Sequence, residues 1–440
     1  MVWGRASNNG KRCFKPSFAT TIWYLNMSER SYDLLIRHAR LRGRGEKLFD
    51  IGIAAGCVKA IERRVEGTAK EEIDAEGNLT TESFVNSHLH LCKVWSLEKM
   101  DDVALRDYHG EGMGKAMTAI ERARQVKKQL DCDTMIESAR RAVALAALYG
   151  NLHIRAFADV DSIAGVEGIK ALIAVQEEFK NVVDIQVTAF PQDGILKDPG
   201  TADLMRKAME LGADVVGGIP WIEFSDGEAA EHISICFDLA QEFNKDVSML
   251  LDDAGDPTLQ TLEMMALETI KRNWHNRALA HHCRAMSQYP LPYFYRLVGT
   301  LKRAGIPVVS DPHTGPLHAR VKELIEEGVL VSLGQDDISD AYYPFGRNNM
   351  LEVAFLASHL LWMTTRDEIN KLYDLITVDA ARSINISNFS LAVDSPAHLV
   401  ILRHQNEMEA LRYHMAPAEV ISYGKRVDLS KMKKICKSIT

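Results

Sequence analysis

Between about residues 83 and 390 the chain alternates strand-length apolar runs with helical stretches, and that alternation constrains its fold more than any other feature. Candidate strands fall at 83–91, 152–160, 182–190, 213–220, 246–252, 277–283, 306–311 and 329–336. Between them lie stretches of 3.6-residue periodicity, among them Leu204–Leu211, Leu259–Trp274 and Val321–Gly328. Several end on glycine, as in Leu211-Gly212, Ala304-Gly305 and Glu327-Gly328, the residue that most easily takes the left-handed turn at a helix end. An extra helical pair at about 113–149 follows the first strand. Eight such units predict an α/β fold, a parallel (β/α)₈ barrel of the TIM type. The rival, an open doubly wound sheet, would carry a Gly-rich phosphate loop after a strand, and none is present.

The flanks have another character. Tyr32–Arg37, Phe49–Ile53 and Val58–Ile61 near one end, with Ala397–Leu402 and Glu419–Lys425 near the other, are short β-like runs between Gly-bearing and charged turns. They predict a small β-sandwich domain built from both termini. The expected division is an extension at 1–30, the N-terminal part of the small domain at 31–82, the barrel at 83–390, and the remainder of the small domain with a tail at 391–440. Residues 1–28 contain Arg5, Lys11, Arg12 and Lys15 and no acidic residue, a pattern that transit peptides share. The reading adopted is a disordered extension ahead of a body opening at Met27, in a cytoplasmic protein.

Composition removes several functions. A net charge of −8 and the lack of a long basic run argue against a nucleic-acid partner. Seven scattered cysteines, without a C-x-x-C pair, suit a reducing compartment and no thiolate zinc site. Apolar stretches such as Ala142–Tyr149 are too short to span a bilayer, so no membrane partner is expected.

The chemistry of a barrel of this kind sits at the C-terminal ends of its strands. The first strand ends in His88-Leu89-His90, and strand alternation sends both imidazoles to one face, a half-site for a divalent transition metal. Phe190-Pro191-Gln192-Asp193, Leu251-Asp252-Asp253, His281-His282 and Gly334-Gln335-Asp336-Asp337 close the third, fifth, sixth and eighth strands. Each group has a plainer reading. Asp252 or Asp253 could cap the next helix, His281 could be a satisfied core histidine, and Asp337 could pair with an arginine. Packing alone does not account for so many ionisable groups at one pole.

These residues, with Gly212–Gly217, Tyr343-Pro344-x-Gly346 and Asn349-Met350-Leu351, resemble the cytosine deaminase branch of the amidohydrolase superfamily. The N-isopropylammelide aminohydrolases are similar too. The resemblance spans about 31–428. It implies one divalent metal per chain, zinc or iron, held by His88, His90 and Asp336, with Asp336 also taking a proton from the bound water. It further implies that His282 orients the nucleophile or stabilises charge on the reacting carbon. Gln192 would bind an amide-like edge of the substrate ring, and Asp253 would stand where the family places its proton-shuttling Glu. A metal brings its water near neutral pKa, and a carboxylate within reach carries the proton to the leaving nitrogen. The family also implies a homo-oligomer.

The sequence departs from that pattern at the site itself. Leu250 stands where the family has a metal-binding His, three residues before the acid. His282 then enters the ligand set, or Asp252 substitutes, or solvent completes the coordination, or metal binding weakens. His313, in Asp311-Pro312-His313-Thr314-Gly315-Pro316-Leu317-His318, is a further candidate for the missing ligand. Trp221 follows Ile219-Pro220 where the deaminases carry a His, and is read as a substrate contact. The fourth strand has no Lys or Glu to bridge two metals. Lys93 is read as a solvated lysine ahead of a contact to a substrate carboxylate or oxyanion, Arg155 as paired with Asp159 or Asp161, and His109 as part of a Gly-bearing loop able to act as a lid.

The expected activity is hydrolytic deamination of a cytosine-like pyrimidine or triazine N-heterocycle. The alternatives are hydrolysis of an amide or thiocarbamate-type bond at the same site, or a ligand-binding homologue without chemistry.

Overall fold

The computed structural model describes residues 30–99 and 103–436; the basic N-terminal segment and Cys13 lie outside the described residues. The chain opens with β1 (Ser31–Leu41), β2 (Leu48–Ala54), β3 (Cys57–Glu62), β4 (Thr68–Asp74) and β5 (Leu79–Glu82). The barrel strands follow: β6 (Phe84–Leu89), β7 (Asn151–Asp159), β8 (Asp184–Phe190), β9 (Val215–Gly218), β10 (Asp246–Leu251), β11 (Ala278–His282), β12 (Val308–Ser310) and β13 (Val331–Leu333). The chain returns to the small domain with β14 (Leu399–Ile401), β15 (Glu419–Ser422) and β16 (Lys425–Arg426).

The barrel sheet runs β6 to β13 in chain order and every recorded pairing is parallel. The seam closes between the first and last strands through a parallel bridge of Leu89 with Asp336. There His90 N–H donates to the Asp336 carbonyl at 2.8 Å and Asp336 N–H to the His88 carbonyl at 2.9 Å. The closure therefore sets the His-x-His motif beside the Asp of the eighth strand end. Gly334 makes this approach possible, since a Cβ there would lie 2.7 Å from His88 Cβ. Helices Ala116–Lys127 and Cys132–Leu148 occupy the insertion expected after the first strand.

The terminal strands make one hydrogen-bonded sheet, ordered β16-β15-β14-β5-β1-β2-β3 with β4 on β1. Alternate residues Leu34 and Ile36, Ile51 and Ile53, Leu399 and Ile401 share one apolar cluster with Ile421, as period-two strands covering a common core require. Among the described residues no helix is long and apolar enough to cross a membrane.

Candidate active site

His88, His90, His282 and Asp336 come together at the barrel mouth, all buried, with one ligand atom from each within 4.8 Å of the others. Asp336 Oδ1 lies 3.1 Å from His88 Nε2 and 3.9 Å from Nε2 of both His90 and His282. Strand alternation delivers the first pair. The other two reach the cluster through left-handed backbone, His282 as the last residue of β11 at φ 65° and Asp336 three residues past β13 at φ 67°. Asp and His tolerate that region better than most residues.

A second layer fixes these groups. Asp311 accepts from His282 Nδ1 at 2.9 Å, so Nε2 faces Asp336. Thr314 Oγ1 lies 2.5 Å from Asp311 Oδ2 and 2.8 Å from Asp336 Oδ2, so its one proton bridges the two carboxylates and Asp336 Oδ1 is left toward the imidazoles. Arg284, buried, donates from Nε to Asp253 at 2.7 Å and from an Nη to Asp311 at 2.7 Å, and stands 3.5 Å from Asp336. Tyr108 hydroxyl donates to the other Asp253 oxygen at 3.1 Å.

Burial holds His88 and His90 well below the ordinary imidazole range; the neighbouring His282 adds to it at the first and Lys93 at the second. Both rings are neutral and carry a free lone pair, and both Nδ1 atoms are buried without a protein partner. Burial opposes a charge on His282 too, but Asp311, Asp253 and Asp336 outweigh it and push that ring up to about 9. Burial and the adjacent Asp311 raise Asp336 well above the carboxylate range. A dication among these four groups would favour neutral imidazole and ionised carboxylate instead. Nitrogen and oxygen donors with a carboxylate-held imidazole behind them suit a divalent transition metal.

The other candidates fall as follows. A narrow cavity of about 20 Å³ is lined by His90, Tyr108, Ile120, Gln192, Ile219, Leu250, Asp253, His282, Asp336, Asp337 and Tyr342. Gln192 and Asp253 therefore share it with the cluster. Leu250 lines it as an apolar wall and joins Phe157, Phe190, Ile219 and Tyr108 in one cluster. Trp221 packs in that same cluster, with its indole N–H buried and unpartnered, while Ile219 of its loop reaches the cavity. Asp252 accepts from the backbone N–H of Thr261 and Leu262, so it caps helix Thr261–Lys271 and is no substitute ligand. His313 faces Gln335 and the Tyr343 ring, and is not in the cluster. His318 bonds the Ala319 carbonyl. His281 is buried against His88 and Phe157 with neither ring nitrogen partnered, so it is not a satisfied histidine.

Two expectations are corrected. Lys93 is not solvated: it is buried, donates to Gln192 Oε1 at 2.5 Å and pairs with Asp159 at 3.5 Å. Arg155 does not pair with Asp159 or Asp161. It donates to Gln186, Ser248 and the Ile384 carbonyl inside the barrel, and Lys127 takes both aspartates. Asp337, whose plainer reading was a pairing with an arginine, is buried with Asp336 and Asp340 near it, and burial with these neighbours pushes its carboxyl well up. The groups missed from sequence were Arg284, Asp311, Thr314 and Tyr108. Asp311 and Thr314 lie in the Asp311–His318 stretch after the seventh strand, and their polar side chains at a strand end were the signal that could have marked them.

The Amidohydrolase family model matches residues 123–427. N-isopropylammelide isopropyl amidohydrolase of Pseudomonas sp. (strain ADP) is 31% identical over 386 residues, covering 85% of this chain and 91% of the relative. The chain belongs to the amidohydrolase family. A crystal structure of 5-methylcytosine deaminase from Klebsiella pneumoniae, liganded with 5-fluorocytosine, matches with a TM-score of 0.81 at 30% identity, covering 89% of this chain and 97% of that one. N-isopropylammelide isopropylaminohydrolase from Burkholderia multivorans shares the fold, with a TM-score of 0.78 at 22% identity over 90% of this chain and 97% of that one. This amidohydrolase thus lies on the cytosine deaminase and ammelide hydrolase branch, among hydrolases of C–N bonds.

Proposed function

We propose that this amidohydrolase hydrolytically deaminates a cytosine-like pyrimidine or triazine N-heterocycle, releasing ammonia or a small amine. One divalent metal, zinc or iron, would be held by His88, His90, His282 and Asp336. The observation that carries the reading is the meeting of His90, His282 and Asp336 of that donor set with Gln192 and Asp253 in one cavity. The names of the relatives on the same branch, an ammelide amidohydrolase and a 5-methylcytosine deaminase, support the substrate class.

The metal, when bound, supplies Lewis-acid activation of the attacking water and of the ring carbon's substituents. The chain supplies the rest. Lys93 can only donate, so its bond to Gln192 Oε1 leaves the Gln192 –NH₂ to donate to a ring carbonyl or ring nitrogen. Asp336, with Oδ1 toward the imidazoles and Oδ2 beside Thr314, would accept the proton of the attacking water on the oxygen that the metal leaves free. Asp253 carries a proton to the leaving nitrogen, and Tyr108, on its cavity-side oxygen, gives up or relays that bond when substrate arrives. His282, held by Asp311 through Nδ1, would present Nε2 to the metal and so help to orient the attacking nucleophile. Leu250 and Ile219 make an apolar wall for one edge of the ring.

The test is ammonia release from a panel of aminopyrimidines and aminotriazines by zinc- or iron-loaded protein. His88→Ala and Asp336→Ala are expected to lose at least about 10³-fold in kcat/KM, the scale of losing a main catalytic group, with the fold intact by circular dichroism. Wild-type rates in either variant would refute the assignment. Turnover of a ring amide without ammonia would select the amide-hydrolysing alternative.

A further inference from the structure

A second group of metal-binding side chains lies away from the catalytic mouth. His153 stands near the start of β7, Asp184 opens β8 and His398 immediately precedes β14. Strand starts lie at the pole opposite the strand ends, so this group sits on the barrel floor, where the small domain meets it.

One donor atom from each of the three lies within 4.8 Å of the other two. His153 Nε2 is 3.2 Å from Asp184 Oδ2, and the two imidazole rings are 4.9 Å apart. Burial, helped by His153, pushes His398 down to about 4, so its ring is neutral. Burial works against a charge on Asp184, yet hydrogen bonds from His153 and Tyr423 hold it below the usual carboxylate range. His153 is 3% exposed and its Nδ1 has no partner in the protein. A hydrogen-bond network alone would explain the His153–Asp184 contact. It would not explain the His398 ring, whose Nδ1 meets Ser422 Oγ at 3.4 Å, standing against His153 with no hydrogen bond between the rings while His153 Nδ1 stays buried and unpartnered. An adjoining cavity of about 200 Å³, bordered by Glu82, Asn388, Phe389 and the three donors, gives room for solvent to complete a coordination sphere.

We propose that His153, Asp184 and His398 bind a second divalent transition metal of the zinc class, and that this ion ties the small β domain to the barrel floor. Two imidazoles, one carboxylate and solvent form a four-coordinate set such an ion accepts. Because the ligands come from both parts of the fold, binding stabilises the folded chain over the unfolded one.

The test uses full-length protein stripped with chelator and titrated with Zn²⁺, or with Co²⁺ for its visible absorption. Wild type is expected to bind two equivalents. The His88→Ala, Asp336→Asn double variant keeps one, and adding His398→Gln removes it. In the double variant Zn²⁺ raises the unfolding midpoint by roughly 3 °C at about a hundredfold excess over Kd, and the triple variant shows no shift. A folded double variant that binds no Zn²⁺, or a triple variant that binds as much as the double, overturns the proposal. Failure of the catalytic site alone would look different, because wild type would then bind one equivalent that His398→Gln abolishes.

Discussion

The catalytic constellation is held at the residue scale by one buried guanidinium. Arg284 faces Asp253, Asp311 and Asp336 from inside the protein, and those carboxylates, with burial opposing, keep it charged. Arg284→Met leaves buried carboxylates without their cation, which costs about 3–5 kcal/mol; urea unfolding would read it, and an unchanged midpoint would deny the network its role. Nothing in the sequence marked Arg284, because its partners come from three strand ends and carry no common period. His88 and His90 were legible since two residues in one strand reveal their shared face. His232 offers a second prediction. Its Nε2 accepts from Ile219 N–H at 3.0 Å and its Nδ1 meets Glu223 at 2.7 Å, so the folded state holds the ring neutral. Burial pushes its pKa below 6.5 against the pull of Glu223. The unfolded chain takes up the proton first, so stability falls as pH drops below 6.5, by up to about 1.4 kcal/mol per unit. His232→Gln, which keeps an acceptor for Ile219, should unfold with a shallower dependence between pH 7.5 and 5.5. An identical slope in both proteins would count against it.

At the scale of elements, the loop and helices after the first strand control the mouth. Tyr108 and Ile120, from helices Val103–His109 and Ala116–Lys127, line the cavity, and His109 Nε2 bonds the Tyr342 carbonyl at 2.7 Å. A cavity of about 20 Å³ holds about one water, too little for a six-membered ring. A heterocycle bound at the mouth would pack against these helices, and is expected to slow amide exchange in them relative to the free protein. Gly255 is the tightest contact in this region, since a Cβ there would lie 1.8 Å from the Gly112 carbonyl. Gly255→Ala is expected to raise KM severalfold with metal content unchanged, and a variant with wild-type kinetics would remove the turn from the account. The helical insertion was legible as an extra periodic stretch, whereas its packing over the mouth was not, because periodicity reports which face is buried and not against what.

For the whole molecule, eight strand signals and eight strands agree because each is buried on both sides and reads as an apolar run. The terminal strands were legible for the complementary reason, an alternation that covers one side of a sheet. The meeting of Asp336 with the first strand's histidines was implied by the resemblance, whereas the contacts of Lys93 with Gln192 and of Arg284 with Asp253 join groups from different strand ends that no periodicity links. The most direct test of the central claim is ammonia release from aminopyrimidines and aminotriazines by metal-loaded protein, run beside His88→Ala. Release that tracks the metal lost in His88→Ala is the expected result. Metal bound in full at His88, His90, His282 and Asp336 with no ammonia from any member of the panel would contradict it.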